Sequence, residues 1–545
     1  MKKRSKIHTH QDLFQMRLRN CLFATASVFA FGLFLSPASV NAQPAPPALV
    51  LAVGGEPETG FDPIAGWGSY GNPLFQSTLL KLDTDLNLVG DLATAWTLSD
   101  DRKTWTLTLR EDAKFSDGTG LTAEDAAFTY NTARDAGGVV DLTNLREARA
   151  TGPYTLEIEL KEPQITFTSR LASLGIVPKA SYGPDYARKP IGSGPFQLLE
   201  WREGEQLVVE PNPHWHGTKP GFSRVSFVFG SEDAAVSLAR TGAAQLVAVP
   251  SSLVDETPQG MKSLHVKTVD NRGVMFPMVP ETGAKTDEGY PIGNSVTSDK
   301  AIRTALNEAL DRQALVDLAL SGHGRPAYGP ADGLPWDNAD ANVKGADIEA
   351  ARATLAAGGW RDSNGDGVLE KDGKDAAFTL LYPASDSTRQ ALTLGVVEQA
   401  KAIGIRITPQ GKSWTEIRTL MHANAVLFGF GSHSPAEMVR LNGSRYAGAG
   451  YYNPGYYNNP AVDAAFAKAE GAESFEASLP FWQAAQWDGT TGFGSRGDAT
   501  WAWLVNLEHS YWVADCLDTG RQQVQPHGHG FPITRNLEDW RWTCQ

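Results

Sequence analysis

The sequence lacks the features that identify several large classes of protein. Its formal net charge is −14, and no basic patch or stripe is visible, which argues against nucleic-acid binding. Beyond the first 42 residues, no apolar run is long enough to cross a membrane. The motifs HExxH, GxSxG and CxxC and the phosphate-binding P-loop are absent, and no pair of carboxylates stands out as acid and base. We therefore do not expect an enzyme.

The composition is that of a soluble globular protein with more than one domain. The chain has 545 residues, of which 41% are hydrophobic and 20% are charged. This length exceeds that of an ordinary single domain. Many of the 15 Trp and 14 Tyr residues fall in polar stretches rich in glycine and proline. Aromatic side chains in such stretches can line a ligand cleft, although packing is their commoner role.

Residues 1–42 have the pattern of a cleavable secretory signal. A basic segment comes first, residues 21–35 are apolar, and Val40-Asn41-Ala42 places small residues at the −3 and −1 positions. The apolar run is too short for a comfortable membrane span. We predict cleavage after Ala42 and a periplasmic protein. Met16 would serve equally well as the start of translation.

Export changes the interpretation of the cysteines. Of the 3 Cys residues, only Cys516 and Cys544 lie beyond the predicted signal. Because the cell envelope is oxidising, we predict that they form a disulfide in the C-terminal tail. Two unpaired thiols remain the alternative, which the sequence does not exclude.

The pattern along the chain predicts an α/β fold. Residues 104–110 alternate polar and apolar side chains, as a half-buried strand does. Residues 300–320 have the apolar spacing of one amphipathic helix. Residues 378–381, 390–403 and 405–408 read as a strand, a helix and a strand, which implies a parallel pair. No internal repeat or long linker is visible, so the lobes are expected to exchange chain more than once, which suits a hinge.

Two glycine-rich segments resemble known ligand motifs only in part. Asp362-Ser363-Asn364-Gly365-Asp366-Gly367 opens like a calcium loop, but its twelfth position is Gly373 instead of a glutamate. Residues 66–71 match a dinucleotide fingerprint by letters, yet they do not follow a strand directly and contain aromatics. The first segment is better explained as tight turns and the second as a ligand-facing aromatic loop.

Histidines concentrate in the last third of the chain. They are His422, His433, His509, His527 and His529. His527 and His529 have the i, i+2 spacing that would aim both rings to one side of an extended segment. Neutral imidazole suits nickel, copper, zinc or iron. We predict His433, His509, His527 and His529 as metal ligands, against the alternative that they are ordinary hydrogen-bonded histidines.

Several stretches together resemble the peptide/nickel family of extracellular solute-binding proteins of ABC transporters, family 5. They are Phe115-Ser116-Asp117-Gly118-Thr119, Leu121-Thr122-Ala123-Glu124-Asp125, Ile191-Gly192-Ser193-Gly194-Pro195-Phe196, Asn212-Pro213-His214-Trp215 and Ala305-Leu306-Asn307-Glu308-Ala309-Leu310-Asp311-Arg312. The resemblance implies a two-lobed α/β periplasmic-binding-protein fold, or Venus flytrap, of the large class with an extra domain. It also implies a monomer without a cofactor that carries a small molecule or peptide to an ABC permease in the inner membrane.

The resemblance and the strand pattern together suggest domain boundaries. We expect lobe I to comprise residues 43–80, 191–277 and 500–545. The extra domain, packed on lobe I, would be residues 81–190, and lobe II residues 278–499.

Within this family the sequence looks closer to members that bind nickel or a nickel chelate. The predicted ligand-binding residues are Trp67, Tyr70, Arg272, Phe430, His433 and His509. Peptide binders that resemble this chain carry an aspartate near the position of His433 for the ligand's ammonium group, and residues 424–436 contain no acid. An unpaired buried ammonium is costly, so we predict nickel or a metal chelate as the ligand. A dipeptide or oligopeptide is the alternative, and an exported metallo-hydrolase or a chemosensory receptor is a further one.

Overall fold

The structure is a computed structural model that describes residues 48–57, 59–71, 74–137, 140–528 and 531–544. The predicted signal segment, residues 1–42, and the predicted metal ligand His529 lie outside the described residues. Within the described ranges, no helix combines the length and the apolar character needed to cross a membrane.

Strands and helices alternate along the described chain. The strands are β1 Ala48–Ala52, β2 Leu80–Leu82, β3 Leu88–Gly90, β4 Ala93–Leu98, β5 Thr104–Leu109, β6 Leu145–Gly152, β7 Thr155–Leu160, β8 Phe196–Arg202, β9 Gln206–Pro211, β10 Arg224–Val228, β11 Leu246–Ala248, β12 Met261–Met275, β13 Gly324–Pro326, β14 Glu370–Lys371, β15 Lys374–Asp375, β16 Ala377–Pro383, β17 Arg406–Lys412, β18 Ala425–Phe430, β19 Trp501–Ala514, β20 Leu517–Asp518 and β21 Arg541–Trp542. The α-helices are α1 Ala123–Ala136, α2 Thr168–Leu171, α3 Glu232–Arg240, α4 Lys300–Ala309, α5 Arg312–Leu320, α6 Ile348–Ala357, α7 Ser387–Lys401, α8 Trp414–Leu420, α9 Ala436–Asn442, α10 Pro460–Glu470 and α11 Phe475–Gln486. Short 3₁₀ helices lie at Ile165–Phe167, Ser251–Leu253, Ala339–Ala341, Ser444–Tyr446 and Pro532–Asp539.

One mixed sheet of 11 strands runs through the molecule in the order β17-β16-β18-β12-β19-β11-β1-β10-β9-β8, with β13 added on β19. The two longest strands, β12 with 15 residues and β19 with 14 residues, pair antiparallel at its centre. β16 and β17 pair in parallel around α7, which confirms the predicted β-α-β unit. The predicted strand at residues 104–110 is β5.

The sheet carries a separate hydrophobic core in each half. One core gathers residues from β1, β9, β10 and β11 and from the C-terminal segment, including Leu51, Phe227 and Trp540. The other gathers α4 to α7 with β16 and β18, including Leu306 and Leu380. We call these the first and second lobes. The exact residues at which we predicted the lobes to begin and end stay a prediction.

A third core belongs to a smaller sheet, β4-β5-β7-β6, covered by α1. α1 begins where the Asp125 carboxylate accepts the backbone N–H of Thr122 at 2.9 Å, and it ends at Gly137 with φ 59°. The 3₁₀ helix Ile165–Phe167 follows this sheet in the chain, and its Thr166 hydroxyl donates to Glu470 of α10 at 2.7 Å. A segment next to this sheet therefore contacts α10 directly.

Residues 300–320 form two helices, so the prediction of one continuous helix was wrong. Leu310 has extended backbone torsions, and the Asp311 carboxylate accepts the backbone N–H of Ala314 at 3.0 Å. This N-cap starts α5 and competes with continuation of α4.

The C-terminal tail folds back on itself. The sulfurs of Cys516 and Cys544 are joined, and their Cα atoms are 5.2 Å apart. β20 and β21 pair antiparallel beside them, with Leu517 opposite Trp542. The disulfide thus closes a loop of the C-terminal tail, and residues of this loop pack in the first-lobe core.

Candidate ligand site

A bulge at the centre of the sheet positions the candidate site. The regular pairing of β12 with β19 stops after Lys267 and resumes, shifted, at Asn271. Between these points the N–H of Val269 donates to the carbonyl of Gln525 at 2.9 Å. A bulge of this kind turns a side chain out of the ladder, and here the side chain is that of Asp270, which is completely buried.

Asp270 collects three cationic or potentially cationic partners. Its carboxylate accepts from Arg272 Nη1, from His509 Nε2 at 2.9 Å and from His527 Nδ1 at 2.6 Å. Burial alone would raise the pKa of Asp270, but the charges of Arg272 and His527 and the histidine hydrogen bonds hold it well below its usual range. Asp270 is therefore a buried carboxylate whose charge is already compensated.

His509 has a partner at each ring nitrogen. Nε2 contacts Asp270, and Nδ1 lies 2.6 Å from the Oε1 atom of Gln525, which also accepts from the Tyr511 hydroxyl at 3.1 Å. Both ring nitrogens of His509 are therefore already engaged by side chains of the protein.

His527 lies between Asp270 and two aromatic rings. Its ring stacks on Phe430 at a centroid distance of 6.3 Å, and it meets Tyr70 edge-on at 5.8 Å. Burial lowers the pKa of His527, and the neighbouring Asp270 opposes that shift.

The predicted aromatic residues fall into two groups. Phe430 packs edge-on against Trp501 at 5.9 Å, so it lies with Tyr70 beside the charged network. Trp67 packs against Phe61 at 4.7 Å and Phe531 at 5.8 Å within the first-lobe core. The structure therefore places Trp67 in the first-lobe core, and its role as a cleft wall stays a prediction.

A second charged group approaches from α9. Arg440 donates to the Tyr452 hydroxyl at 3.2 Å, and Glu437 accepts the backbone N–H of Gly431 at 3.3 Å. Burial raises the pKa of Glu437 to about 7, although Arg440 opposes the shift. Burial and the nearby Glu437 raise the pKa of Tyr70 well above its ordinary value. Tyr70 therefore lies within the electrostatic influence of both groups, Asp270 on one side and Glu437 with Arg440 on the other.

His433 differs from the other predicted histidines. Burial, reinforced by the positive charge of Arg535, lowers its pKa to about 4, while a hydrogen bond with the backbone of Val524 opposes the shift. Its Nε2 atom is buried and has no hydrogen-bond partner among the described residues. The ring is therefore neutral at pH 7 and carries an unused polar atom.

A cavity of about 330 Å³ opens beside this network, between the N-termini of α3 and α7. Arg272 and His509 reach it from β12 and β19, and Asp386, the N-cap residue of α7, faces them. Its other polar lining residues include Ser231, Glu232, Ser251, Thr388, Glu508, Ser510 and Tyr511. The cavity therefore has walls from both lobes.

Gly429 lets two guanidinium groups approach the sheet here. A Cβ atom at this position would lie 2.4 Å from Arg272 Nη1 and 2.9 Å from Arg389 Nη2. The Nε atoms of both arginines and the Nδ2 atom of Asn271 are buried without a hydrogen-bond partner in the described structure. The region consequently has an excess of hydrogen-bond donors.

Three acidic and basic residues of the site were missed by sequence reasoning. Asp270 was visible beside Arg272, but only the bulge shows that it binds His509 and His527. Glu437 falls one position beyond the acid-free segment 424–436, and Arg440 follows one turn later on α9. A search of that helix for charges could have found both.

Two groups of side chains within the described ranges could hold a metal ion. They are Asp255, His265 and His323, and Asp362, Asp366 and Glu370. Neither contains His433, His509 or His527. The metal-binding role of these three histidines stays a prediction.

Comparisons with known proteins agree with this architecture. The family model for bacterial extracellular solute-binding proteins, family 5 (middle), matches residues 87–450. Protein XP55 of Streptomyces lividans is 34% identical over 88% of this chain and 87% of its own. The oligopeptide-binding protein AppA of Bacillus subtilis (strain 168) is 29% identical over 74% of this chain and 78% of its own.

Solved structures share the fold. NikZ of Campylobacter jejuni in complex with Ni(L-His) has a TM-score of 0.80 and 22% identity, covering 91% of this chain and 99% of NikZ. AppA of Bacillus subtilis in complex with a nonapeptide has a TM-score of 0.77 and 24% identity, with coverages of 91% and 99%. At these identities the likeness shows the two-lobed fold alone, which confirms the predicted fold class.

Proposed function

Since the chain belongs to family 5 of the bacterial extracellular solute-binding proteins, we propose that it is the periplasmic receptor of an ABC importer. It captures a ligand between its two lobes and delivers it to a permease in the inner membrane. Ligand contacts made only in the closed form would drive closure. The relatives are binding proteins rather than enzymes, which fits the lack of a catalytic constellation.

We further infer that the ligand is a short peptide or another amino-acid derivative with a free carboxylate. The observation that carries this inference is the unpartnered, buried Nε atom of Arg272 beside the cavity, with a matching atom on Arg389. Buried donors without acceptors are costly, and a carboxylate accepts from arginine with two parallel bonds. Glu437 follows His433 by four residues and would be the acid that pairs with a ligand ammonium group, so the missing aspartate near His433 does not exclude a peptide.

A nickel chelate is the second candidate, and His433 is the observation that favours it. Its neutral ring and unpartnered Nε2 atom match the donor that a metal requires. His509 and His527 bind Asp270, so most of the remaining ligands would have to come from a chelator. Nickel would then be transported as a complex.

Native mass spectrometry of the protein purified from its own envelope, with metal analysis, separates these candidates. A bound mass that matches a peptide without metal supports the first, and a mass with one nickel supports the second. The eluted ligand is then titrated back into stripped protein while unfolding is followed, because a ligand of the native state alone raises the melting temperature. Conversion of that ligand into a product during the titration would refute a transport receptor.

A further inference from the structure

A second cluster of two histidines and one acid lies at the surface, and none of its three residues lines the cavity. His265 is on β12, His323 directly precedes β13, and Asp255 follows the 3₁₀ helix Ser251–Leu253. One donor atom from each of the three lies within 4.8 Å of the others. The geometry points to a divalent transition-metal site, of the kind that takes zinc, at the junction of the two lobes.

The donors are of the type and number that zinc takes. Two imidazole nitrogens and one carboxylate oxygen, completed by water, form an open tetrahedral zinc set. The His323 Nε2 atom already lies 3.0 Å from Asp255 Oδ2, close to the separation of about 3.3 Å that two ligands of a tetrahedral zinc have. The two rings stack at a centroid distance of 4.4 Å, so His265 needs only a local movement to join.

Both imidazole rings would have to reorient to bind one ion, and their surroundings leave space for this movement. Their planes are 18° apart, and near-parallel rings do not aim their lone pairs at one point. The His265 and His323 side chains are 30% and 23% exposed, so neither is fixed by a tight core. Within the described structure, the acid nearest to His265 Nδ1 is Glu508 at 4.0 Å, which is beyond a hydrogen bond. His265 is thus available.

Glu508 is an outer neighbour of the cluster. It is the cross-strand neighbour of Lys267 in the pairing of β12 with β19, and it is not one of the three residues whose donor atoms converge. We therefore assign the three ligands to His265, His323 and Asp255.

The position of the cluster gives the ion a mechanical role. Asp255 follows Val254, which packs in the satellite core on β11 and α3 of the first lobe. His323 follows α5, whose residues Leu315 and Leu320 belong to the second-lobe core. An ion bound by Asp255 and His323 together would bind more tightly to the lobe arrangement described here than to one that separates these residues. It would therefore stabilise this arrangement. This role does not depend on which ligand the protein transports.

The test uses the full exported chain, purified without a histidine tag and stripped with a chelator. Zinc chloride is titrated calorimetrically into the wild type and into His265→Ala, His323→Ala and Asp255→Asn. We expect one zinc per chain in the wild type with a Kd below about 100 µM. Each ligand variant should lose at least about tenfold in affinity. The exposed His214 provides the control variant His214→Ala, which should bind as the wild type does.

A further measurement keeps the inference falsifiable. Unfolding curves without zinc should superimpose for the wild type and the variants, so that lost binding is not lost folding. A wild type without zinc binding, or a His265→Ala/His323→Ala double variant that binds as tightly as the wild type, overturns the site.

Discussion

Asp270 and His509 join the two central strands of the sheet, with Oδ2 of the carboxylate 2.9 Å from Nε2 of the ring. The contact lies where the β12 bulge interrupts the ladder with β19. His527 reaches the same carboxylate from the C-terminal segment. One buried acid therefore ties three separate parts of the chain together beside the cavity.

Replacing Asp270 with asparagine should destabilise the protein strongly. The variant keeps the shape of the side chain but leaves Arg272 as an uncompensated buried charge. Removing one partner of a buried ion pair costs about 3–5 kcal/mol. Urea unfolding at pH 7 measures the difference, and Asp185→Asn at an exposed position provides the control. A loss below about 1 kcal/mol would show that Arg272 is compensated elsewhere.

Glu437 should make the protein less stable as the pH rises. Its pKa is about 7 in the folded protein and 4.5 as the ordinary value, so the native state binds the proton more tightly. The unfolding free energy then falls as pH increases from about 5 to 8, by up to about 3 kcal/mol. Glu437→Gln should remove this fall. The unfolding free energy of the variant, relative to that of the wild type, should therefore increase as the pH rises to 8.

Urea unfolding at pH 5, 6, 7 and 8 tests the behaviour of Glu437. The control is Glu473→Gln, at an exposed position, which should follow the wild-type curve. Parallel curves for wild type and Glu437→Gln across the whole range would contradict the raised pKa.

His433→Asn should separate the two candidate ligands. The variant removes the neutral ring nitrogen that a metal would use. We expect the affinity for Ni(L-His) to fall at least about tenfold if the ring coordinates, and the affinity for a short peptide to change less than about threefold. Calorimetric titration of both ligands into the variant, with His214→Asn alongside, provides the comparison. Unchanged binding of the nickel complex would remove His433 from the site.

Gly429→Ala should disturb the paired arginines. The added Cβ atom would lie 2.4 Å from Arg272 Nη1, so the guanidinium group must move. Overpacking of this kind costs about 1–3 kcal/mol, and the ligand affinity should fall with it. Gly183→Ala is the matched control, because no atom lies within 4 Å of its added Cβ. Equal melting temperatures for both variants would argue against close packing at Gly429.

The fold could be predicted from the sequence because it depends on hydrophobic patterns within short segments and on motifs that the chain shares with a family. The β-α-β unit around α7 follows from hydrophobic runs within 40 residues of one another. The break between α4 and α5 was missed, because the cap at Asp311 competes with a strong apolar period. Local capping decided the outcome there.

The site was harder to predict because its residues come from distant segments. The structure does bring Arg272, His509 and Phe430 together around Asp270. The partnership of Asp270 with both histidines depends on a bulge, and no periodicity reveals a bulge. Trp67 lies in a core, and its place there could not be predicted because an aromatic residue in a glycine-rich loop has the same sequence pattern whether it packs or binds a ligand.

The order of the central strands has a consequence for how the molecule assembles. β19, Trp501–Ala514, supplies the neighbour of β11, β12 and β13 alike. Until the last tenth of the polypeptide has been synthesised, those three strands lack the strand that pairs with them. Unpaired strand edges favour association with other chains. A polypeptide ending at residue 499 should therefore aggregate rather than leave behind one finished lobe.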